Sequence, residues 1–125
     1  MQQLQFEASW DKALANQDRQ NIENIFNETK HLKQASLSFS PIKEAINHQE
    51  SLLVTVLIHN FTDEPYMFMN TKLLYRVQGD VVADNVFNLP ILTIPSEVSM
   101  PWTFIFPKGT YKPQSSYQNG RLEVL

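Results

Sequence analysis

The sequence predicts a small, mainly β domain: an antiparallel β-sandwich with one N-terminal helix packed on it. Three observations carry this. Only one stretch has a helical period, every apolar segment after residue 35 reads as short and extended, and turn residues separate those segments at intervals of about 8 to 12 residues. The chain has 125 residues, of which 42% are hydrophobic and 11% aromatic. A chain of that size buries about two-thirds of its unfolded surface, enough for one core. The sequence therefore reads as a single domain, 1–125, with an arm and helix over 1–33 and the sandwich over 35–125.

The helical stretch runs from 16 to 32. Ile22, Ile25, Phe26, Thr29 and Leu32 fall on one face of a helix. Asn16 or Asp18 is placed to cap its start, and Lys30, His31 and Lys33 sit where cations suit the C-terminal end of the dipole. Ahead of it, Leu4, Phe6 and Trp10 read as an arm packed onto the body.

From Ala35 the period becomes two. Leu37 and Phe39 alternate with Ser36, Ser38 and Ser40, a solvent-facing set, until Pro41 stops the run. The polar segment His48 to Ser51 is a turn. Leu52 to His59 is aliphatic and β-branched on both faces, the pattern of a central strand. After a turn at Asn60 to Pro65 come Tyr66 to Asn70 and Lys72 to Val77, as two short strands or one bent one. Gln78-Gly79-Asp80 is the clearest hairpin turn, because Gly79 tolerates positive φ. Val81 to Leu89 follows, then a short extended piece, Ile91 to Ile94, between Pro90 and Pro95. Met100 to Phe106 places Trp102, Phe104 and Phe106 on one face, and Arg121 to Leu125 closes the chain as a last short strand. About seven strands of this kind suggest an immunoglobulin- or fibronectin-like sandwich, with a flattened barrel as the alternative.

Composition excludes several function classes. The formal net charge is −3 and the pI about 5.5, so no basic field gathers phosphates and nucleic acid is not expected as a partner. There is no cysteine, which removes disulfides, thiolate metal sites and cysteine nucleophiles. Met1 to Trp10 has neither a basic nor an apolar segment of the kind a signal peptide needs, and the longest apolar run, Leu52 to Ile58, is far short of the ~20 residues of a membrane helix. A cytoplasmic location without an integral membrane segment is the expectation.

The chemistry-bearing residues are scattered. His31, His48 and His59 have no partners at metal-ligand spacing, and His59, ending a buried strand, reads as a hydrogen-bonded structural histidine. No serine sits in a nucleophile elbow and the three glycines form no phosphate loop. Glu23, Glu28, Asp63 and Glu64 occupy solvated positions. The chain is therefore read as no enzyme, with no catalytic residue, metal or cofactor. Asn60 and Thr62 are suited to bonding the backbone of a turn.

Tyr66, Met67, Phe68 and Met69 form the one feature that suggests an interaction. Four large side chains in a row cannot all face one core. Either Met67 and Met69 or Tyr66 and Phe68 must look outward, toward the helix or a protein partner. These four residues are the candidate partner-binding set. An open sheet edge pairing with a second copy is the alternative, giving a homodimer. A small-ligand cavity between helix and sheet, lined by His59 or by Tyr75 and Arg76, is a further one.

Several blocks resemble a known family: Leu4-Gln5-Phe6-Glu7-Ala8-Ser9-Trp10, Asp18-Arg19, His31-Leu32-Lys33, Leu53 to Asn60, and Ile94-Pro95 through the distinctive Met100-Pro101-Trp102-Thr103-Phe104-Ile105-Phe106-Pro107. Together they are similar to the SLAP domain of Gram-positive bacteria, known from S-layer assembly proteins of the accessory Sec system. There the domain is duplicated, whereas this chain has one copy. The resemblance implies no catalytic residues. It implies a protein partner in the export machinery or in surface assembly.

Overall fold

The computed structural model describes residues 1–32, 36–114, 116–117 and 119–125; the expectations for Lys33 and Ala35 lie outside them. The chain is mainly β. In order, the elements are β1 (Gln3–Leu4), α1 (Ala8–Ala13), α2 (Asn16–Thr29), β2 (Leu37–Ile46), β3 (Leu52–Asn60), β4 (Tyr66–Val77), β5 (Asp80–Ile94), β6 (Val98–Phe106) and β7 (Arg121–Val124). The strands form two sheets, ordered β1-β6-β3-β2 and β5-β4-β7. All pairings are antiparallel except β1 with β6. Setting β2-β3-β6 against β5-β4-β7 is the arrangement of strands A, B and E facing C′, C and F in an immunoglobulin-type sandwich.

The core lies between the sheets. Inward residues of β3 (Leu52, Val54, Val56, Ile58) and β6 (Phe104, Phe106) meet Phe68, Leu73 and Tyr75 of β4 and Phe87 of β5. Phe104 sits at its centre, with ring centroids 5.5 Å from Phe68, 5.2 Å from Phe87 and 6.2 Å from Phe39. As its sequence pattern requires, β3 is buried on both faces. Its outer face carries Thr55, Leu57 and His59, and the helices cover it.

Several elements differ from the sequence reading. There are two helices, not one. Residues 8–13, expected as an arm, form α1, whose start is capped by the Glu7 carboxylate accepting from the Ser9 N–H at 3.0 Å. A six-residue helix is too short to show a period. The expected cap of α2 is also corrected: Ala15 occupies the N-cap without a side-chain bond, and Asp18 lies in the first turn. Pro41 does not stop β2, because β2 is the last strand of its sheet and an edge absorbs a missing N–H, here with a bulge between Pro41 and Lys43. Ser40 is buried rather than solvent-facing, since the end of α2 lies over it.

The remaining strands join where bulges let them. β4 is one strand, bent where Asn70 takes φ 50°. β5 runs through Pro90, again as an edge strand. At the β4–β5 hairpin both central residues, Gln78 (φ 53°) and Gly79 (φ 87°), are left-handed, the type I′ geometry that matches strand twist. The loop before β7 protects part of the outer edge of β5: the Lys112 N–H donates to the Val82 carbonyl at 2.6 Å and the Asp84 N–H to the Thr110 carbonyl at 3.2 Å.

Gly120, entering β7, lies directly against the buried Tyr75 ring, and a Cβ there would overlap Tyr75 Oη and Cζ. Gly120→Ala is therefore expected to displace the ring and cost about 1–3 kcal/mol. Urea denaturation checks this, and Tyr75→Phe with Gly120→Ala should recover only part of the loss, because the ring carbons still collide.

Candidate functional site

The apolar run at the start of β4 is split by strand alternation. Phe68 is fully buried, packed edge-on to Tyr66 at 5.0 Å and against Phe104. Tyr66 is half-buried. Met67 and Met69 are 54% and 48% exposed. Of the two arrangements that alternation allows, the molecule adopts the one with both methionines outward. The surface that a partner can touch is thus Met67 and Met69 with part of Tyr66, while Phe68 serves the core.

Two further features belong to this surface. Met67 pairs with Thr93 and Phe68 with Leu89, so Pro90, Ile91 and Leu92 form a bulged stretch opposite them. Within it Ile91 is 75% exposed. Nothing in a linear reading links Ile91 to Met67, because the link is a register shift. In addition, β7 pairs with β4 only from Leu73 to Arg76. Tyr66 to Asn70 are not part of that pairing.

His59 is the other candidate. It is 1% exposed, and its ring stacks on Phe61 at 5.2 Å. Nδ1 lies 2.6 Å from Ser99 Oγ; Nε2 lies 2.9 Å from Ser40 Oγ and 3.0 Å from Thr29 Oγ1. The Thr29 hydroxyl donates to the Ile25 carbonyl at 2.6 Å, so its oxygen accepts from the histidine. The proton is therefore on Nε2, and Nδ1 accepts from Ser99, whose oxygen in turn accepts from the Gln2 amide at 3.1 Å. This neutral ring ties α2, β2 and β6 to the end of β3. Burial pushes its pKa down to about 4.

A groove of about 490 Å³ opens beside this network. Ile25, Glu28 and Thr29 of α2 form one wall, and Ser38 and Phe39 of β2 and Arg121 of β7 lie opposite, with His59 among its lining. Tyr75 and Arg76 are engaged elsewhere. Tyr75 is a core residue whose hydroxyl donates to the Tyr117 carbonyl at 3.3 Å, and Arg76 bonds Glu123. His31 and His48 are exposed and lie outside the groove. Among the described residues no cluster of three or more His, Asp or Glu is arranged to hold a metal.

Asn60, next to His59, closes the β3–β4 turn. Its buried amide donates to the carbonyls of Glu64 (2.8 Å), Ile94 (3.0 Å) and Pro95 (3.2 Å), and its oxygen accepts from the Thr62 N–H at 3.0 Å and hydroxyl at 2.7 Å. The turn and the far end of β5 are thereby held by one side chain.

The family model of the SLAP domain matches residues 4–122. The chain belongs to the SLAP domain family. Neither the curated proteins nor the solved structures compared with it yield a match. On the structure of this SLAP domain, the blocks that carry the resemblance fall at points of assembly. Leu4 belongs to β1, and Trp10 of α1 stacks on Trp102 of β6 at 6.4 Å. Arg19 of α2 pairs with Asp11 of α1 at 3.0 Å and lies over the Phe6 ring at 4.8 Å. Leu53 to Asn60 is the central strand with its polar end. Those residues explain how the domain is built, and Met67, Met69 and Ile91 lie outside them.

Proposed function

We propose that this SLAP domain is a non-enzymatic protein-interaction module, accessory to protein export or cell-surface assembly, acting on the cytoplasmic side. Membership of the SLAP family over residues 4–122 carries the reading, since that family is tied by its designation to the accessory Sec system. The exposed apolar set Met67, Met69 and Ile91 gives it a contact surface; methionine is suited to such work because its unbranched thioether adapts to different partners. The titratable groups displaced furthest support a non-catalytic role. His59 and Tyr75 are both engaged in packing and hydrogen bonding. No helix of the described residues is long and apolar enough to cross a membrane.

The test is a pull-down of the tagged chain from its native cells, read by quantitative mass spectrometry, beside the Met67→Glu/Met69→Glu variant. Both positions are exposed, so stability should change by less than about 0.5 kcal/mol. Translocase or surface proteins are expected with the natural chain, with at least tenfold lower recovery for the variant. Recovery of the same partners by both proteins would remove this surface from the proposal.

A homodimer is the second reading, and the edge position of β2 favours it. This ten-residue strand is the last of its sheet, and an edge strand can pair with a second copy. Light scattering across a concentration series separates the readings: a stable dimer supports self-pairing, and a monomer at every concentration leaves the edge to other proteins.

A further inference from the structure

A second cavity, unrelated to the methionine surface, lies between the two helices and the outer face of the β1-β6-β3-β2 sheet. Its volume is about 150 Å³. Trp10 and Leu14 line it from α1 and its end, Ile22 from α2 and Ile42 from β2, and Thr55 and Thr103 line it from the sheet. The space lies between two packed layers and is partly open to solvent.

The chemistry of the lining restricts what enters. Thr55 and Thr103 hydrogen-bond to each other at 2.8 Å, which satisfies one hydroxyl as donor and the other as acceptor. Trp10, Leu14, Ile22 and Ile42 are apolar, and Ile22 is buried. Asp18, Asn21 and Lys43, all exposed, also line it, and the opposite charges of Asp18 and Lys43 together favour neither an anion nor a cation. A charged occupant would lose more hydration than this lining returns. A mainly apolar space of ~150 Å³ accommodates a group of benzene size.

We propose that this cavity is a binding site for a compact, uncharged apolar molecule of about six to eight heavy atoms, an aromatic ring or a branched aliphatic group, held between Trp10 and Ile22. The site is independent of the partner surface at Met67 and Met69, so either can fail without the other.

Methyl NMR on the full chain tests it, with benzene, toluene and cyclohexane as probes. The expected result is a saturable shift of the Leu14, Ile22 and Ile42 methyls, weakened at least tenfold in Ile22→Phe, which fills the cavity. Should that variant not fold, Ile42→Phe fills the space from the opposite wall, where an edge strand has room to adjust. Non-saturating or absent shifts at millimolar concentrations of all three probes would overturn the proposal. So would equal affinity in a folded, filled variant, because the probe would then sit elsewhere.

Discussion

Phe104→Ala is expected to remove about 3–5 kcal/mol of stability. Phe104 is 1% exposed and meets rings from three other strands, Phe39 of β2, Phe68 of β4 and Phe87 of β5. The substitution deletes transfer energy and also leaves a cavity, because the surrounding backbone belongs to two sheets that cannot close upon each other without breaking their ladders. Three edge-to-face or tilted ring contacts vanish with it, each contributing about 0.5–1.5 kcal/mol beyond area. Against a total of about 5–15 kcal/mol for a domain of this kind, that loss is a large share. Phe104→Leu retains most of the volume and is expected to cost less than half as much. Urea titrations should show the midpoint falling with little change in slope; equal midpoints for Phe104→Ala and the natural chain would show that the two sheets do not share this core.

The same alternation that made Phe104 legible made most of the fold legible. Leu52 to His59, apolar on both faces, had to be central, and it lies between β2 and β6. Gly79 marked the hairpin because a left-handed residue is needed there. The failures share a cause: each depends on tertiary position. Whether Pro41 and Pro90 interrupt a strand depends on whether that strand is at an edge. Whether Ser40 meets water depends on where α2 lies. The candidate surface divides in the same way. That two of Tyr66, Met67, Phe68 and Met69 must face outward follows from the period of a strand, but which two depends on the side the other sheet occupies. Ile91 joins them only through a register shift between β4 and β5, and the cavity behind Trp10 depends on how two helices meet a sheet.

Acid should destabilise this domain through His59 by about 3 kcal/mol. Its folded pKa is lowered to about 4 from the ordinary 6.5, and each unit is worth about 1.36 kcal/mol. The sign follows from proton counting. Between those two values the unfolded chain binds a proton that the folded chain refuses, so stability rises with pH across the interval. The contribution is complete above about pH 6.5, declines as pH falls toward 4, and levels off below that. Geometry gives the same direction. Ser99 Oγ already accepts from Gln2, so a proton on Nδ1 would make that oxygen accept twice and turn its hydroxyl away from the ring. The charged ring would also sit at 1% exposure, with hydroxyls on either side and no carboxylate hydrogen-bonded to it. His59→Gln should be less stable at neutral pH but lose this slope. Carboxylates and the exposed His31 and His48 are common to both proteins and cancel in the difference. Denaturation midpoints measured from pH 4.5 to 7.5 should therefore converge as pH falls; curves that stay parallel would mean that His59 is charged in the folded state or that its burial is relieved by water.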